Sequence, residues 1–210
     1  RYVQNEQPTL WQPLADEETV LRALTRRLES LQESHTAEVN RLQAGTHPPQ
    51  VEASLTATIA FLQAQIELVK TQIQEHIDQF PDMDHKRQLI SSIKGIGTHT
   101  AAILIAELPQ RNQFASPKQM AAFAGLTPRQ MQSGQSHKRR GLTKMGSSRL
   151  RAALYFPAIS AMSHNPLVKP LAERLRAKGL HGMAIIGAAM RKLIHLVYGV
   201  LKHNKPFDPN

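Results

Sequence analysis

Cysteine is absent from the 210 residues. That excludes a disulfide framework and every thiolate metal site, and it suits a reducing compartment without requiring one. Aromatic residues make up only 5% of the chain, with a single tryptophan, Trp11. A sheet-rich sandwich or barrel draws on aromatic and β-branched side chains, so their scarcity points away from one. Long apolar runs are missing too: Met183–Met190 is closed at once by Arg191 and Lys192, well short of the ~18 residues that span a bilayer. No signal peptide opens the chain, which starts at Arg1 rather than Met.

Carboxylates are scarce in one half only. Residues 84–210 hold four acids, Asp84, Glu107, Glu173 and Asp208, against 20 Lys+Arg, a net of +16. Residues 1–83 hold 12 acids and 6 Lys+Arg, a net of −6, and the two parts sum to the +10 of the whole. Four scattered acids cannot build a two-metal carboxylate site. No histidine pair has metal-ligand spacing with a third ligand nearby, and there is no Walker loop. No metal site is therefore expected in this chain. The charge step marks a module boundary, and the basic part calls for a polyanion partner.

The acidic part reads as two helices. Leu21, Leu24, Leu28, Leu31, His35, Val39 and Leu42 recur at threes and fours, and Asp16 stands as an N-cap. Gly45-Thr46-His47-Pro48-Pro49 is a turn no helix crosses. A second stripe follows: Val51, Leu55, Ile59, Leu62, Ile66, Val69, Ile73 and Ile77, close to a heptad repeat and ended at Phe80-Pro81-Asp82. Two helices of about 28 residues make an antiparallel hairpin about 40 Å long. Such a hairpin must pack on the basic half or on a second copy of itself. Residues 1–15 read as an extended strap, 16–82 as the coiled-coil hairpin, and 83–210 as a basic helical domain.

The basic half carries three signals. Leu89–Leu104 reads helix, Gly95-Ile96-Gly97 hairpin, helix, with Ile96 and Ala101 joining the two helices. The free amides of a helix start can hold a phosphate oxygen, which makes Lys94, Gly95, Gly97 and Thr98 candidate backbone-binding residues; a tight corner without a ligand is the plainer reading. Ser116 then caps a short helix, with Pro117 at its first position, Gln119 completing a capping box and Gly125 as its stop. Residues 127–144, TPRQMQSGQSHKRRGLTK, show neither helical nor strand period and read as a long polar loop. Its cations Arg129, Lys138, Arg139, Arg140 and Lys144, with Arg149 and Arg151 flanking, are candidate nucleic-acid contacts. A serine there, Ser133 or Ser136, serves either as a phosphate hydrogen-bonder or as a nucleophile on a phosphodiester, its charge stabilised by the cations. Helices then run from Gly146/Ser147 through Pro157, which should kink it, from Asn165-Pro166 to Gly179, and from Gly182 to Leu201. The expected fold is all-α: the hairpin, then a compact domain with a helix-hairpin-helix motif.

Four ordered stretches, Ile93–Gly97, Ala121–Ser136, Lys144–Tyr155 and Met190–Pro209, closely resemble the insertion-sequence-110 family of transposases, also called bridge recombinases. The likeness covers most of residues 85–209. It implies an enzyme whose C-terminal domain supplies a serine that attacks DNA and becomes phosphoserine-linked, here Ser133, with Ser136 second within the same motif. It further implies an N-terminal resolvase-like domain with four Mg²⁺-binding acids, a coiled coil joining a dimer or larger assembly, and a structured guide RNA pairing with donor and target double-stranded DNA. The resolvase-like domain has no counterpart here. The chain is expected to begin just after it, to carry no cofactor, with Mg²⁺ in the missing domain, and to be inactive alone. The stretch from Ser136 to Lys144 is shorter than in some relatives. A cytoplasmic, nucleoid-associated bacterial protein without a membrane partner is expected. Two rivals stand beside the recombinase: a non-catalytic helix-hairpin-helix module that grips nucleic acid, and a coiled-coil adaptor whose basic half is only a solvated surface.

Overall fold

The computed structural model describes residues 15–108, 114–133 and 136–209, and describes residues 129–133 and 136–140 by their backbone alone. The expected strap falls outside the described residues except for Ala15. In chain order the elements are α1 (Asp16–Gln43), α2 (Pro49–Gln79), α3 (Pro81–Ser91), α4 (Thr98–Glu107), α5 (Pro117–Phe123), β1 (Pro128–Ser133), β2 (Ser136–Leu142), α6 (Ser148–His164), α7 (Lys169–Ala177) and α8 (Gly182–His203). The fold is all-α apart from one two-stranded ribbon.

α1 and α2 run antiparallel. Leu21, Leu28 and Leu31 pack against Ile66, Val69, Ile73 and Ile77, and His76 near the end of α2 bonds through Nε2 to the Glu17 carbonyl at the start of α1 at 2.8 Å. Asp16, Glu17 and Glu18 occupy the first turn of α1, where negative charge meets the positive end of the helix dipole. The cap is Ala15, not Asp16: Asp16 is already helical. Pro49 sits at the first position of α2 and Pro81 at that of α3, where the missing N–H costs nothing.

Only the base of this hairpin is covered. Met83, Ala102 and Ala106 join its apolar seam, and Arg22 Nε donates to the Ala106 carbonyl at 2.9 Å. Toward the turn the buried seam ends, at Leu31 on α1 and Ile66 on α2, and Phe61 is 62% exposed.

α4 has apolar residues on both faces because it is sandwiched. Ala102 and Ala106 face the hairpin, whereas Ala101 and Leu104 belong to the main core. Met120, Leu126, Leu150, Leu154, Leu193 and Ile194 form the centre of that core, all fully buried. α8 is long and apolar enough to cross a membrane by length and composition, unlike the short Met183–Met190 run taken alone. Here it is the core helix, burying nine residues from Ile185 to Val200.

Two local expectations are corrected. Residues 127–144 are not an irregular loop: most of them form the ribbon, with rungs Pro128↔Leu142, Gln130↔Arg139, Met131↔Lys138, Gln132↔His137 and Ser133↔Ser136. Between the first two rungs one residue of β1, 129, faces two of β2, 140 and 141, so β2 carries a bulge, and Gly141 there has φ +57°. The helix expected at Asn165-Pro166 starts at Lys169. Asn165 Oδ1 first accepts from the amides of Leu167 and Val168 at 3.0 and 3.3 Å, making a turn before the helix. α6 contains Pro157 and is helical on both sides of it.

Candidate nucleic-acid interface

The first candidate element is the turn between α3 and α4. Ile93, Ile96 and Ala101 bury their side chains in the core and fix the turn from inside. Gly95 has φ +106°, and a Cβ there would lie 2.8 Å from the Ala161 Cβ of α6. Asn165 Nδ2 donates to the Lys94 carbonyl at 2.9 Å. The outer side of the turn is open: Lys94, Gly97 and Thr98 are exposed. A Cβ on Gly97 would meet nothing within 4 Å, and no side chain caps α4. The first amides of α4 thus remain available to an anion. Lys94, Gly97 and Thr98 come together at this corner; Gly95 faces inward.

The second element is the ribbon and its root. Ser116 Oγ accepts from the Gln119 amide at 3.4 Å, the N-cap expected for α5. Gln119 Oε1 reaches back to the Ala115 amide at 2.7 Å, one residue before the donor a capping box would use. Gly125, with φ +67°, ends the helix and leads toward β1. On the return side the Thr143 amide donates to Thr127 O at 2.8 Å and the Ser147 amide to Phe123 O at 2.9 Å. Leu142 packs on the core beside Gly187 of α8.

Arg151 locks this root. Its Nη1 lies 3.2 Å from Ala124 O, 3.1 Å from Gly146 O and 3.2 Å from Ser147 O. Gly125 is glycine for this reason as well: a Cβ would sit 2.3 Å from that nitrogen. Arg191 Nη1 adds a bond to Leu126 O at 3.2 Å. The guanidinium of Arg151 is thus occupied by backbone carbonyls. Arg149 is paired with Glu29 of α1, across a cleft of about 970 Å³ between α1, α4 and α6. Burial pushes the Glu29 carboxyl above its usual range, and Arg149 pulls it part of the way back. Lys144 is exposed, with φ +55°.

Ser133 and Ser136 form the last rung of the ribbon, on either side of residues 134–135. The side chains of Ser133, Ser136, Arg129, Lys138, Arg139 and Arg140 lie outside the described residues; their backbones place Arg129 in β1 and the other three cations in β2. α6 joins the two candidate elements. Arg151 at the ribbon root and Ala161 under Gly95 are ten residues apart on it, about 15 Å along the helix. Among the described residues no three His, Asp or Glu side chains gather to hold a metal ion.

Two contributors escaped the sequence reading. Asn165 is fully buried and ties the turn to α7; the Asn-Pro pair signals a turn but not a bond 71 residues away. Glu29 carries no local signal of its partner, and only the fold brings it to Arg149.

Comparison with known proteins identifies the domain that holds these elements. The pattern of the transposase IS116/IS110/IS902 family matches residues 87–173, from α3 through the turn and the ribbon into α7. The chain carries an IS110/IS116-family transposase domain. Pilin gene-inverting protein of Moraxella bovis is 34% identical over 210 residues, covering 99% of this chain and 65% of that protein. A 43.6 kDa protein of insertion element IS110 from Streptomyces coelicolor is 26% identical over 153 residues, 72% of this chain and 36% of that protein. The transposase for insertion sequence element IS1328 of Yersinia enterocolitica is 29% identical over 135 residues, 63% of this chain and 36% of its own length. The chain therefore spans about two thirds or less of these relatives. Within it, the transposase domain contains both the open corner of α4 and the serine-bearing ribbon.

Proposed function

We propose that this chain binds DNA as part of a transposase or recombinase and supplies Ser133 as the nucleophile for strand cleavage and exchange. The observation that carries the reading is the ribbon. A two-stranded finger with a serine rung at its end is anchored at its root by Arg151, Arg191 and Leu142. A site held on such a fixed base can present a reacting group reproducibly. Ser136 faces Ser133 across the same rung and is the second candidate.

In the proposed reaction the Ser133 oxygen attacks a backbone phosphorus. A serine–phosphate bond forms, and the bond from phosphorus to the leaving deoxyribose oxygen breaks. The serine proton is lost to a base or to water, and the leaving oxygen takes up a proton. Attack by the freed hydroxyl of another strand on the phosphoserine reverses these steps and exchanges strands. A serine hydroxyl is a weak nucleophile at neutral pH, so cations around the phosphate are needed to stabilise developing charge. Arg129, Lys138, Arg139, Arg140 and Lys144 are proposed for that work. Lys94, Gly97 and Thr98 are proposed to hold backbone nearby. Guide-RNA binding, assembly of two copies through the hairpin, and metal supplied by a further domain complete the proposal.

The test is a denaturing gel of the full-length protein with Mg²⁺, labelled donor DNA and RNA transcribed from the DNA beside its gene. A protein–DNA adduct lost in Ser133→Ala supports the assignment. An adduct that survives there but is lost in Ser136→Ala moves the nucleophile across the rung. Tight binding with no adduct under any combination favours a non-catalytic binding module.

A further inference from the structure

The basic charge of this chain is not confined to the turn and the ribbon. Positions 169, 174, 176 and 178 on or just after α7, and 191, 192, 202 and 205 on or just after α8, are lysine or arginine, eight in all. One carboxylate, Glu173, lies among them between residues 164 and 205. Among the described residues outside this stretch, Arg26, Arg41, Lys70, Arg87 and Arg149 each pair with an Asp or Glu, whereas Arg22, Arg27, Lys86, Lys94 and Lys144 do not. Every acid in those pairs lies between Glu29 and Glu107. Among the described residues, Lys118, Lys169, Arg174 and Lys192 enter no ion pair.

Their placement is specific. Arg174 and Lys192 face one another across a groove of about 470 Å³ between α7 and α8, floored by Leu167, Pro170 and Leu171. The charges felt by His195, one turn beyond Arg191 and Lys192, are those two cations and Lys118 of α5, with no carboxylate among them. Burial first, and these charges after it, hold the His195 imidazole below its ordinary range, and its Nε2 is buried without a partner.

Helix electrostatics do not account for the arrangement. Arg174 and Arg176 close α7 and answer the negative end of its dipole. Lys118 and Lys169 do the reverse: they stand in the first turns of α5 and α7, at the positive ends, with no acid in either turn. Cations kept where the protein itself disfavours them fit a surface completed by an outside anion. The groove also adjoins the open corner of α4. Asn165, bonded to the Lys94 carbonyl, is two residues before Leu167 on the groove floor.

We infer that the α7–α8 groove, from Lys94 past Arg174 and Lys192 to Lys118, is a second binding track for the sugar–phosphate backbone of a nucleic-acid duplex. The inference rests on the proposed nucleic-acid binding and extends it to Lys118, Arg174 and Lys192. The chemistry is that of a phosphodiester chain, which both DNA and RNA duplexes offer.

The experiment measures affinity against salt concentration for a DNA duplex and for an RNA duplex of equal length. It uses this chain, Arg174→Gln/Lys192→Gln, and Arg27→Gln/Arg41→Gln as a control with the same change in net charge on the hairpin. The groove variant should lower the slope of log K against log salt by about 1.8 on DNA, two contacts at roughly 0.9 each. Its affinity should fall about tenfold or more, whereas the control should change neither by more than a third as much. A larger loss on RNA than on DNA assigns the track to RNA, and the converse assigns it to DNA. The swap Arg174→Lys/Lys192→Arg should keep the slope, which separates charge from folding. Equal loss in the groove variant and the hairpin control, or an unchanged slope in the groove variant, overturns the track and leaves the turn and ribbon reading intact. No salt-dependent binding by the unsubstituted chain overturns both.

Discussion

The two glycines of Gly95-Ile96-Gly97 look equivalent in the sequence, and the structure separates them. Gly95→Ala adds a methyl at φ +106°, a region that side chains rarely enter, and that strain costs roughly 1–3 kcal/mol. The methyl would also lie 2.8 Å from Ala161 Cβ and 3.0 Å from both Cα and N of the same residue. These are atoms of a packed helix, not the end of a flexible side chain, so overpacking adds roughly 1–3 kcal/mol. Together the change should destabilise the protein by roughly 2–6 kcal/mol. At ~2–4 °C per kcal/mol for a chain of this size, the melting temperature should fall by roughly 4–24 °C. Gly97 has φ −85° and an empty neighbourhood. Gly97→Ala should therefore hold stability within about 1 kcal/mol, and yet weaken binding if a phosphate approaches the turn closely. Thermal melts followed by circular dichroism, paired with a duplex-binding titration, read both effects. Equal melting of Gly95→Ala and the unsubstituted protein would refute the packing argument. A Gly97→Ala protein that binds as before would remove Gly97 from the interface.

Arg151→Met keeps the length of the side chain but removes the side-chain donor to the carbonyls of Ala124 and Gly146, while Ser147 O keeps the Arg151 amide. A loss of roughly 2–4 kcal/mol is expected, with hydrogen exchange accelerating first at the ribbon root; uniform exchange across the domain would contradict a local lock. Leu28 is fully buried at the base of the hairpin, so Leu28→Ala should cost roughly 2–5 kcal/mol in chemical denaturation. Phe61→Ala beyond the buried seam should cost no more than about 0.5 kcal/mol in a lone chain; a larger, concentration-dependent loss would mean that a second copy covers it. His195 titrates below its ordinary value of 6.5 in the folded state, so the unfolded chain takes up its proton first as pH falls. Its contribution is complete above pH 6.5 and is lost as the pH drops through the lower folded value. Melting temperatures from pH 8 to 5 should fall less steeply in His195→Gln, and identical slopes would count against the assignment.

Where local physics and packing agreed, the sequence was sufficient. Pro117 at the first position of α5, the Ser116 cap and the threes and fours of Leu21 to Leu31 each act within a few residues, and each element formed where they place it. The ribbon was missed because its strands have no apolar alternation. They carry no core of their own, and pairing between two polar segments is set by the anchored root, which includes contacts from α6 and α8. The same distance effect hid the chemistry of the arginines. Arg149 and Arg151 stand two residues apart on one helix, yet one meets a carboxylate 120 residues away and the other meets backbone. The candidate serines were legible as a motif, since Ser-Gly-Gln-Ser is a local pattern, although their placement on opposing strands was not.

The hairpin also behaves as a spacer. From Leu31, the last buried residue of α1, to its end at Gln43 is twelve residues, so the tip stands about 18 Å beyond its last buried contact. Whatever the tip engages is thereby held at a set distance and a set rotation from the transposase domain. Seven residues added to each helix would move it outward by about 10.5 Å and turn its face by only about 20°. Adding four instead would move it about 6 Å and turn it by about 40°. Length and angle can thus be varied almost separately.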